Sequence, residues 1–138
     1  MDERDLKIIE ILLENARIPK TKIAESLGVT ETAVRKRIQK LENSGIILRY
    51  RAVINCKVAN LSCSLTGVDV EPEKLWNVVN ALKEFKEIRA MWLTTGDHTL
   101  MLEVVAKDVD DLSEIHRKIE SLEGVKRICP AIVLDVLK

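Results

Sequence analysis

Residues 19–45 read PKTKIAESLGVTETAVRKRIQKLENSG, and this stretch decides the fold of the first part of the chain. Its apolar residues recur at helical spacing on both sides of Gly28, which predicts two helices joined by a short turn. Gly28 can end the first of them in a left-handed conformation, and Thr30 suits the N-cap of the second. That second helix is predicted over residues 31–44 and ends at Gly45. Two helices in this arrangement form a helix-turn-helix.

The flanking segments complete a winged helix-turn-helix pattern. In residues 2–16, apolar side chains recur at helical spacing, which predicts a supporting first helix that faces the core. Residues 46–54 (IILRYRAVI) are β-branched and apolar, so they predict an extended segment at the place of the wing. Residues 55–62 are polar and weakly patterned, which favours a linker. We therefore assign residues 1–50 to a DNA-binding domain and residues 51–62 to the wing and linker.

One face of the longer helix has the chemistry that DNA base edges require. Val34, Ile38 and Leu41 form its buried stripe, and the opposite side is basic and polar, without an acid among residues 32–40. Arg reads guanine, Gln reads adenine and Thr reads either base from a helix in the major groove. The alternative is a solvated basic surface helix, which the helix-turn-helix spacing around it disfavours. The predicted DNA-binding residues are Lys20, Thr21, Thr30, Thr32, Arg35, Lys36, Arg37, Gln39, Lys40, Arg49 and Arg51.

The charge distribution agrees with a first part that faces nucleic acid. The chain has 22 basic and 22 acidic residues, yet residues 1–51 carry 11 Lys or Arg against 8 Asp or Glu, a net charge of +3. Arg37 has two possible roles, because it projects beside the apolar stripe. It can reach a DNA phosphate, or it can pair with an acid such as Asp5 or Glu42.

From residue 63 onward, strands alternate with helices. The pattern predicts strands over 63–71, 87–95, 98–107 and 125–137, a helix from Pro72 to about Phe85, and a helix over 109–122. This β-α-β, β-α-β order is typical of a ferredoxin-like domain, an antiparallel sheet with both helices on one face. The fold class is therefore α+β, with residues 63–138 as the second domain. Pro130 cannot donate a ladder hydrogen bond, so the last strand is expected at a sheet edge or to carry a bulge.

Composition argues against several classes of protein. The N-terminus, MDERDLKIIEILLENA, is acidic and amphipathic, unlike a signal peptide, and no apolar run approaches the roughly 18 residues of a membrane span. Cys56, Cys63 and Cys129 have no metal-binding spacing and are odd in number. We expect small, partly buried, reduced side chains in a reducing cytoplasm, and a structural disulfide or a metal site is the alternative.

The turn at residues 94–99, TTGDHT, contains one of the two histidines, with an aspartate beside it and a glycine before that. A catalytic His/Asp pair is weakly supported, because no nucleophile is near in sequence and adjacent turn residues point in different directions. A metal site needs three or more ligands, and no such set is visible. We therefore interpret the turn as backbone that holds a small polar ligand, with Gly96 supplying conformational freedom.

Two groups of motifs carry a resemblance to a known family. DLKIIEILLENARI and IAESLGVTETAVRKRIQKLENSGIILRYRAVI lie in the first part, and VDVEP, TTGDHTLMLEVVAKD and LEGVKRICPAIVLDVLK lie in the second. They resemble the DNA-binding half and the amino-acid-sensing RAM domain of the Lrp/AsnC (feast/famine) transcriptional regulators. The resemblance implies a dimer formed through the sheet of the second domain, assembly into tetramers or octamers, and a small effector, usually an amino acid, at a dimer–dimer interface. The implied effector-binding residues are Thr94, Thr95, Gly96, Asp97, His98 and Thr99.

At this turn the family pattern is roughly Thr-Gly-Asp-Tyr-Asp, and the chain departs from it at two positions. His98 stands where an aromatic residue is usual, and Thr99 replaces an acid that could pair with an amino group. In the last strand, Ile128 and Pro130 replace two residues that are commonly Thr, so a wall of the expected pocket becomes apolar. A regulator that uses no effector, in which assembly alone organises DNA, is therefore an alternative.

A second alternative is an enzyme. Siroheme decarboxylases resemble the same two-domain architecture and use histidines near a tetrapyrrole pocket, for which His98 and His116 are the candidates here. The basic face of the helix-turn-helix and the small number of aromatic residues, four in all, argue against it. His116 lies at the border of a helical apolar stripe, where we expect a histidine that packs its ring edge.

We therefore predict a cytoplasmic transcriptional regulator, with no enzymatic activity, cofactor or metal site. It binds double-stranded DNA as a homodimer, and two-fold symmetry predicts a pseudo-palindromic operator with half-sites about one helical turn apart. A small effector such as an amino acid is predicted to change the spacing or assembly of the paired recognition helices.

Overall fold

A computed structural model describes residues 1–138, which form two compact units, Met1–Val53 and Ile54–Lys138. The first unit contains three helices, α1 (Glu3–Glu14), α2 (Lys20–Leu27) and α3 (Glu31–Asn43). The second contains a short helix α4 (Cys56–Ala59), strand β1 (Ser62–Val70), a 3₁₀ turn (Pro72–Lys74), helix α5 (Leu75–Lys83), strands β2 (Ile88–Leu93) and β3 (Leu100–Ala106), helix α6 (Val109–Glu120) and strand β4 (Val125–Ile132). Each helix is too short or too polar to cross a membrane.

The helices of the first unit begin and end close to the predicted residues, because capping residues and a glycine set their boundaries. Gly28 ends α2 with φ 66°, in the left-handed region, and Thr30 caps α3 by accepting a hydrogen bond from the Ala33 amide at 3.1 Å. Asp2 and Asp5 form a capping box at the start of α1. The helix-turn-helix prediction is confirmed, and the three helices pack around a core of Ile8, Ile23, Ala24, Val34, Ile38 and Leu41.

The segment after α3, predicted as an extended segment at the place of the wing, forms no strand within the chain. The amides of Ile46 and Ile47 donate to the Leu41 carbonyl at 3.0 and 3.1 Å, and no strand follows before residue 62. A strand needs a neighbour to pair with, and within the single chain the only sheet is made of β1–β4. The stretch predicted as a polar linker, 55–62, contains α4, capped by the Asn55 side chain.

The second unit has the ferredoxin-like topology that the β-α-β, β-α-β order predicts. Its antiparallel sheet has the order β2-β3-β1-β4, which places β4 and its Pro130 at an edge. Alternate residues of β3, namely Leu100, Leu102, Val104 and Ala106, are buried together with residues of α5 and α6 in one core. The α+β fold class is confirmed.

The long helices α5 and α6 leave the other face of this sheet uncovered, and only the short helix α4 contacts it, through the Cys56–Cys63 disulfide. The register places Leu65 of β1 beside Glu103 of β3 and Ala131 of β4, and it pairs Trp92 of β2 with Met101. Leu65 and Trp92 are 49% and 50% exposed. We call this the open face of the sheet, on which apolar residues lie beside the charged Asp69, Glu103 and Arg127.

The expectation of three reduced cysteines is wrong for two of them. Cys56 and Cys63 form a disulfide, and Cys129 is the free thiol. The spacing of the two cysteines in the sequence does not predict this pair. The disulfide forms because α4 turns the chain back on β1, which brings the two Cα atoms to 6.4 Å, within the range that a disulfide spans. The bond joins the first turn of the second unit to its central strand.

Candidate DNA-binding face and effector loop

The exposed side of α3 carries the predicted base-reading residues. Val34, Ile38 and Leu41 are buried on the side that packs against the other helices. The opposite side is solvent-exposed and consists of Thr32, Arg35, Lys36, Gln39 and Lys40. The Arg35 guanidinium bonds the Glu31 carboxylate one turn earlier at 3.1 Å, an exposed pair that a DNA phosphate or base can replace at little cost. The helix therefore presents one polar, basic face whose side chains can hydrogen-bond to base edges in a DNA groove.

Arg37 lies beside this face and is held by acids of α1. Its Nη1 atom donates to Asp2 at 2.8 Å and to Asp5 at 2.9 Å, and the Arg37 side chain is 27% exposed. The hydrogen bond from Arg37 lowers the pKa of Asp2 to about 2. Of the two roles open to Arg37, the structure contains the ion pair. It fastens the recognition helix to the N-terminus of α1.

The remaining predicted DNA contacts lie at the start of α2 and after α3. Lys20 and Thr21 are exposed in the first turn of α2, and Thr30 is exposed at the cap of α3. Arg49 and Arg51 lie in the irregular segment that follows α3, and together with Leu12, Leu13 and Tyr50 they line an apolar groove. These residues precede or follow α3 along the chain, and each of them is exposed to solvent.

The 94–99 loop, the predicted effector site, is closed by its own hydrogen bonds and fixed to β1. The Thr94 amide donates to the Thr99 carbonyl at 3.1 Å, and the Thr94 hydroxyl donates to the His98 carbonyl at 3.3 Å. Thr99 in turn donates from its amide to the Val68 carbonyl at 3.1 Å and accepts from the Val70 amide at 3.3 Å. Thr95, Gly96 and Asp97 form the exposed tip, where Gly96 has φ 96°. Thr99, which replaces the usual acid, thus anchors the loop.

His98 pairs with an aspartate distant in sequence rather than with its neighbour Asp97. Its Nδ1 atom lies 2.9 Å from Oδ1 of Asp69 on β1. The imidazole rests on the backbone of Gly67, where a Cβ would lie only 2.3 Å from its Cδ2 atom. A glycine is therefore required at position 67 to admit the ring. The catalytic pairing of residues 97 and 98 is absent from the structure.

Asp69 connects His98 to Arg127, a residue that the sequence did not single out. The second carboxylate oxygen of Asp69 accepts from Nε of Arg127 on β4 at 2.9 Å. The hydrogen bond from His98, followed by that from Arg127, lowers the pKa of Asp69, so the carboxylate is ionised and the His98 Nδ1 atom is the donor. The pair could have been found only from the strand register, which places Asp69 of β1 opposite Arg127 of β4.

The two histidines lie on opposite faces of the sheet. His116 of α6 is on the helix-covered side, where its Nε2 atom is 2.9 Å from the Ser64 hydroxyl and 3.2 Å from that of Thr66. Ser64 and Thr66 are fully buried. Since His98 lies on the open side over Gly67, the two imidazoles cannot line one tetrapyrrole pocket. His116 also does more than pack its ring edge, because it satisfies two buried hydroxyls.

The two apolar residues that stand in place of the family's usual threonines in the last strand lie on the other side of the sheet from His98. Ile128 pairs with Val68 and packs against the core, and Pro130 pairs with the buried Thr66. Both therefore belong to the helix-covered side of β4, whereas Arg127 and Cys129 belong to the open side. These two residues therefore do not form an apolar wall at the 94–99 loop.

Comparison with known proteins assigns both parts of the chain. The profile of winged helix-turn-helix DNA-binding domains matches residues 1–47, and that of the Lrp/AsnC ligand binding domain matches residues 63–138. The chain belongs to the Lrp/AsnC family of transcriptional regulators. It is a transcriptional regulator with a DNA-binding helix-turn-helix and an Lrp/AsnC ligand-binding domain.

A curated relative and two solved structures are similar to the chain over nearly their full length. The chain is 49% identical to the HTH-type transcriptional regulator LrpA of Pyrococcus horikoshii, with 100% of this chain and 99% of that protein covered. Among solved structures, PH0061 has a TM-score of 0.86 at 18% identity, over 100% of this chain and 95% of that one. The transcriptional regulator NMB0573 of Neisseria meningitidis, solved as a complex with L-Met, has a TM-score of 0.73 at 22% identity, over 100% and 92%.

Proposed function

We propose that the protein regulates transcription by seating α3 in the major groove of a specific operator. Thr32, Arg35, Lys36 and Gln39 read base edges, and Lys20, Thr21 and Lys40 contact phosphates. Thr30 caps the helix at its entry to the groove, and Arg49 and Arg51 reach the flanking backbone. The observation that carries the proposal is the exposed basic face of α3, opposite its buried stripe. Arg37 holds α3 in place through Asp2 and Asp5.

The double substitution Arg35→Ala and Lys36→Ala tests this assignment. Removing two contacts that each contribute about 1–3 kcal/mol is expected to weaken operator binding at least tenfold in a gel-shift titration at fixed salt. The matched control is Lys83→Ala with Lys86→Ala, two exposed basic residues of the second unit that change the net charge equally. Unchanged binding by the α3 variant, or equal weakening by the control, would show that the recognition helix is wrongly assigned.

We further propose that the active species is a cytoplasmic homodimer, which assembles into larger oligomers. The open face of the sheet supports this proposal, since Leu65 and Trp92 stay half exposed in the single chain and would be covered by a second copy. Two copies related by a two-fold axis present two α3 helices to a pseudo-palindromic operator.

The effector is proposed to be an amino acid that binds at the tip of the 94–99 loop. The loop offers exposed amides at Thr95, Gly96 and Asp97, held in one conformation by Thr94 and Thr99. The L-Met complex of the structurally similar regulator from Neisseria meningitidis supports the ligand class. A thermal-shift screen of amino acids at millimolar concentration is expected to reveal a stabilising ligand. If none stabilises an intact oligomer, the protein is instead a regulator without an effector.

A further inference from the structure

We propose that the Cys56–Cys63 disulfide is a redox switch, and that its reduction by a dithiol weakens operator binding. The inference goes beyond the proposed function but rests on the proposed operator-binding dimer for its readout. The first unit ends at Val53, and Cys56 comes shortly after that junction, whereas Cys63 lies on β1, an inner strand of the sheet. We call the chain between Val53 and the first residue that the second unit holds the tether. The disulfide therefore sets the length of the tether.

The segment that enters the second unit is attached to it through a single buried side chain. Among residues 54–60, Cys56 alone is buried, with 8% of its surface exposed, and the rest are exposed. Val58 of the same helix is 82% exposed. Lys57 pairs with Asp135 at 3.4 Å, but this pair is exposed on both sides, and such pairs contribute little. Reduction of the disulfide therefore removes the main attachment of this segment.

Helix α4 cannot keep this position by itself. It is a single turn of four residues, with the Asn55 side chain as its N-cap and a left-handed Asn60 at its end. These contacts are local, and a helix of this length is unstable in water without tertiary contacts. Without the disulfide, the held part of the chain begins at Ser62, where β1 pairs with β3. Ser62 follows Val53 by nine residues and Cys56 follows it by three, so the tether becomes about three times as long.

The reaction is a thiol–disulfide exchange, and a dithiol reductant balances it. One thiolate of the reductant attacks a sulfur of the pair, which forms a mixed disulfide and releases the other cysteine. The second thiol of the reductant then closes its own disulfide, so two electrons and two protons pass to Cys56 and Cys63. Both sulfurs are buried, and the attack follows local opening of α4, whose outer side is exposed. Disulfides in cytosolic proteins are generally transient and catalytic or redox-sensing, which suits the proposed cytoplasmic location.

A longer tether weakens binding to two half-sites but not to one. Once one helix-turn-helix of the dimer is bound, the other binds its half-site at an effective concentration that depends on the tether. This concentration falls roughly as the −3/2 power of tether length, so a threefold longer tether lowers it about fivefold. The α3 face lies in the first unit, which the disulfide does not touch. A purely structural disulfide, as in intracellular proteins of hyperthermophiles, would change stability and leave the operator affinity of the folded protein unchanged.

The test compares oxidised and dithiothreitol-reduced full-length protein in gel-shift titrations, well below the unfolding temperature. The probes are an operator that the oxidised protein selects from random duplexes, and one half of that operator. Mass measurement after thiol alkylation verifies the state of the disulfide. Reduction is expected to weaken operator binding about fivefold and to change half-site binding by less than about twofold. Re-oxidation should restore the operator affinity, and a loss that it does not reverse would mean unfolding and overturn the inference.

Three variants separate the tether from other effects of reduction. Cys56→Ser with Cys63→Ser is expected to bind like the reduced wild type and to ignore the reductant, and Cys129→Ser is expected to respond like the wild type. Inserting GSGSGS between Val53 and Ile54 should weaken operator binding while the disulfide stays intact, and unchanged affinity would exclude the tether as the cause. If fully reduced wild type keeps the oxidised affinity, the inference is wrong, although the operator proposal stands. If oxidised wild type selects no operator, the operator proposal is wrong and the inference with it.

Discussion

At the scale of single residues, the environment of His116 makes stability depend on pH. Its imidazole satisfies Ser64 and Thr66 inside the helix-covered side of the sheet, and burial lowers its pKa below the ordinary value of 6.5. As the pH falls through 6.5, the unfolded chain takes up a proton at this position before the folded one does. Stability is therefore complete above that pH and decreases below it, by at most about 1.4 kcal/mol per pH unit from this group.

The substitution His116→Gln isolates this contribution, because glutamine can bond a hydroxyl but does not titrate. We expect the urea midpoint of the wild-type protein to fall between pH 7.5 and pH 5.5, and that of His116→Gln to fall clearly less. Tryptophan fluorescence is a suitable probe, since Trp76 and Trp92 both lie in the second unit with His116. An equal fall in both proteins would place the pH dependence on other groups.

At the scale of elements, the Cys56–Cys63 disulfide joins α4 to β1 and closes a loop with a sequence separation of 7. Closing a loop of this size stabilises the folded state by about 2–3 kcal/mol in the chain-entropy model. We expect reductant, or Cys56→Ser with Cys63→Ser, to lower the free energy of unfolding of the second unit by about this amount. Cys129→Ser is the control and should leave the response to reductant intact. A urea transition that reductant does not move would contradict this prediction.

The same elements show what a sequence can and cannot predict. Helix caps such as Thr30 and Gly28, and the alternation of β3, depend on neighbours in sequence, so they were predictable. The pairing of Asp69 with Arg127 depends on the register of two strands that are distant in sequence, and the disulfide depends on the path of α4. His98 was found in the site, but its partner was not, since only the fold brings Asp69 to it.

At the scale of the whole molecule, the helix-turn-helix and the Lrp/AsnC ligand-binding domain lie in different units of the chain. One α3 helix reads a single half-site, and two helices at a fixed spacing read an operator. The open face of the sheet is the surface that would set this spacing. Leu65 of β1 and Trp92 of β2 are half exposed on it in the single chain, and the proposed dimer would remove this apolar area from water.

The substitution Leu65→Lys tests this arrangement, because it places a charge in the middle of the open face. Leu65 lies directly opposite Glu103, so the lysine can pair with that acid in a monomer and the fold is expected to survive. In a dimer the lysine would lose its water at the interface, and this desolvation costs several kcal/mol even beside Glu103, so sedimentation should show a monomer at concentrations where the wild type is a dimer. Operator binding should weaken in parallel. Val109→Lys, an exposed apolar residue at the start of α6 on the helix-covered side, is the control. If Leu65→Lys remains a dimer with wild-type operator affinity, the interface must lie elsewhere on the molecule.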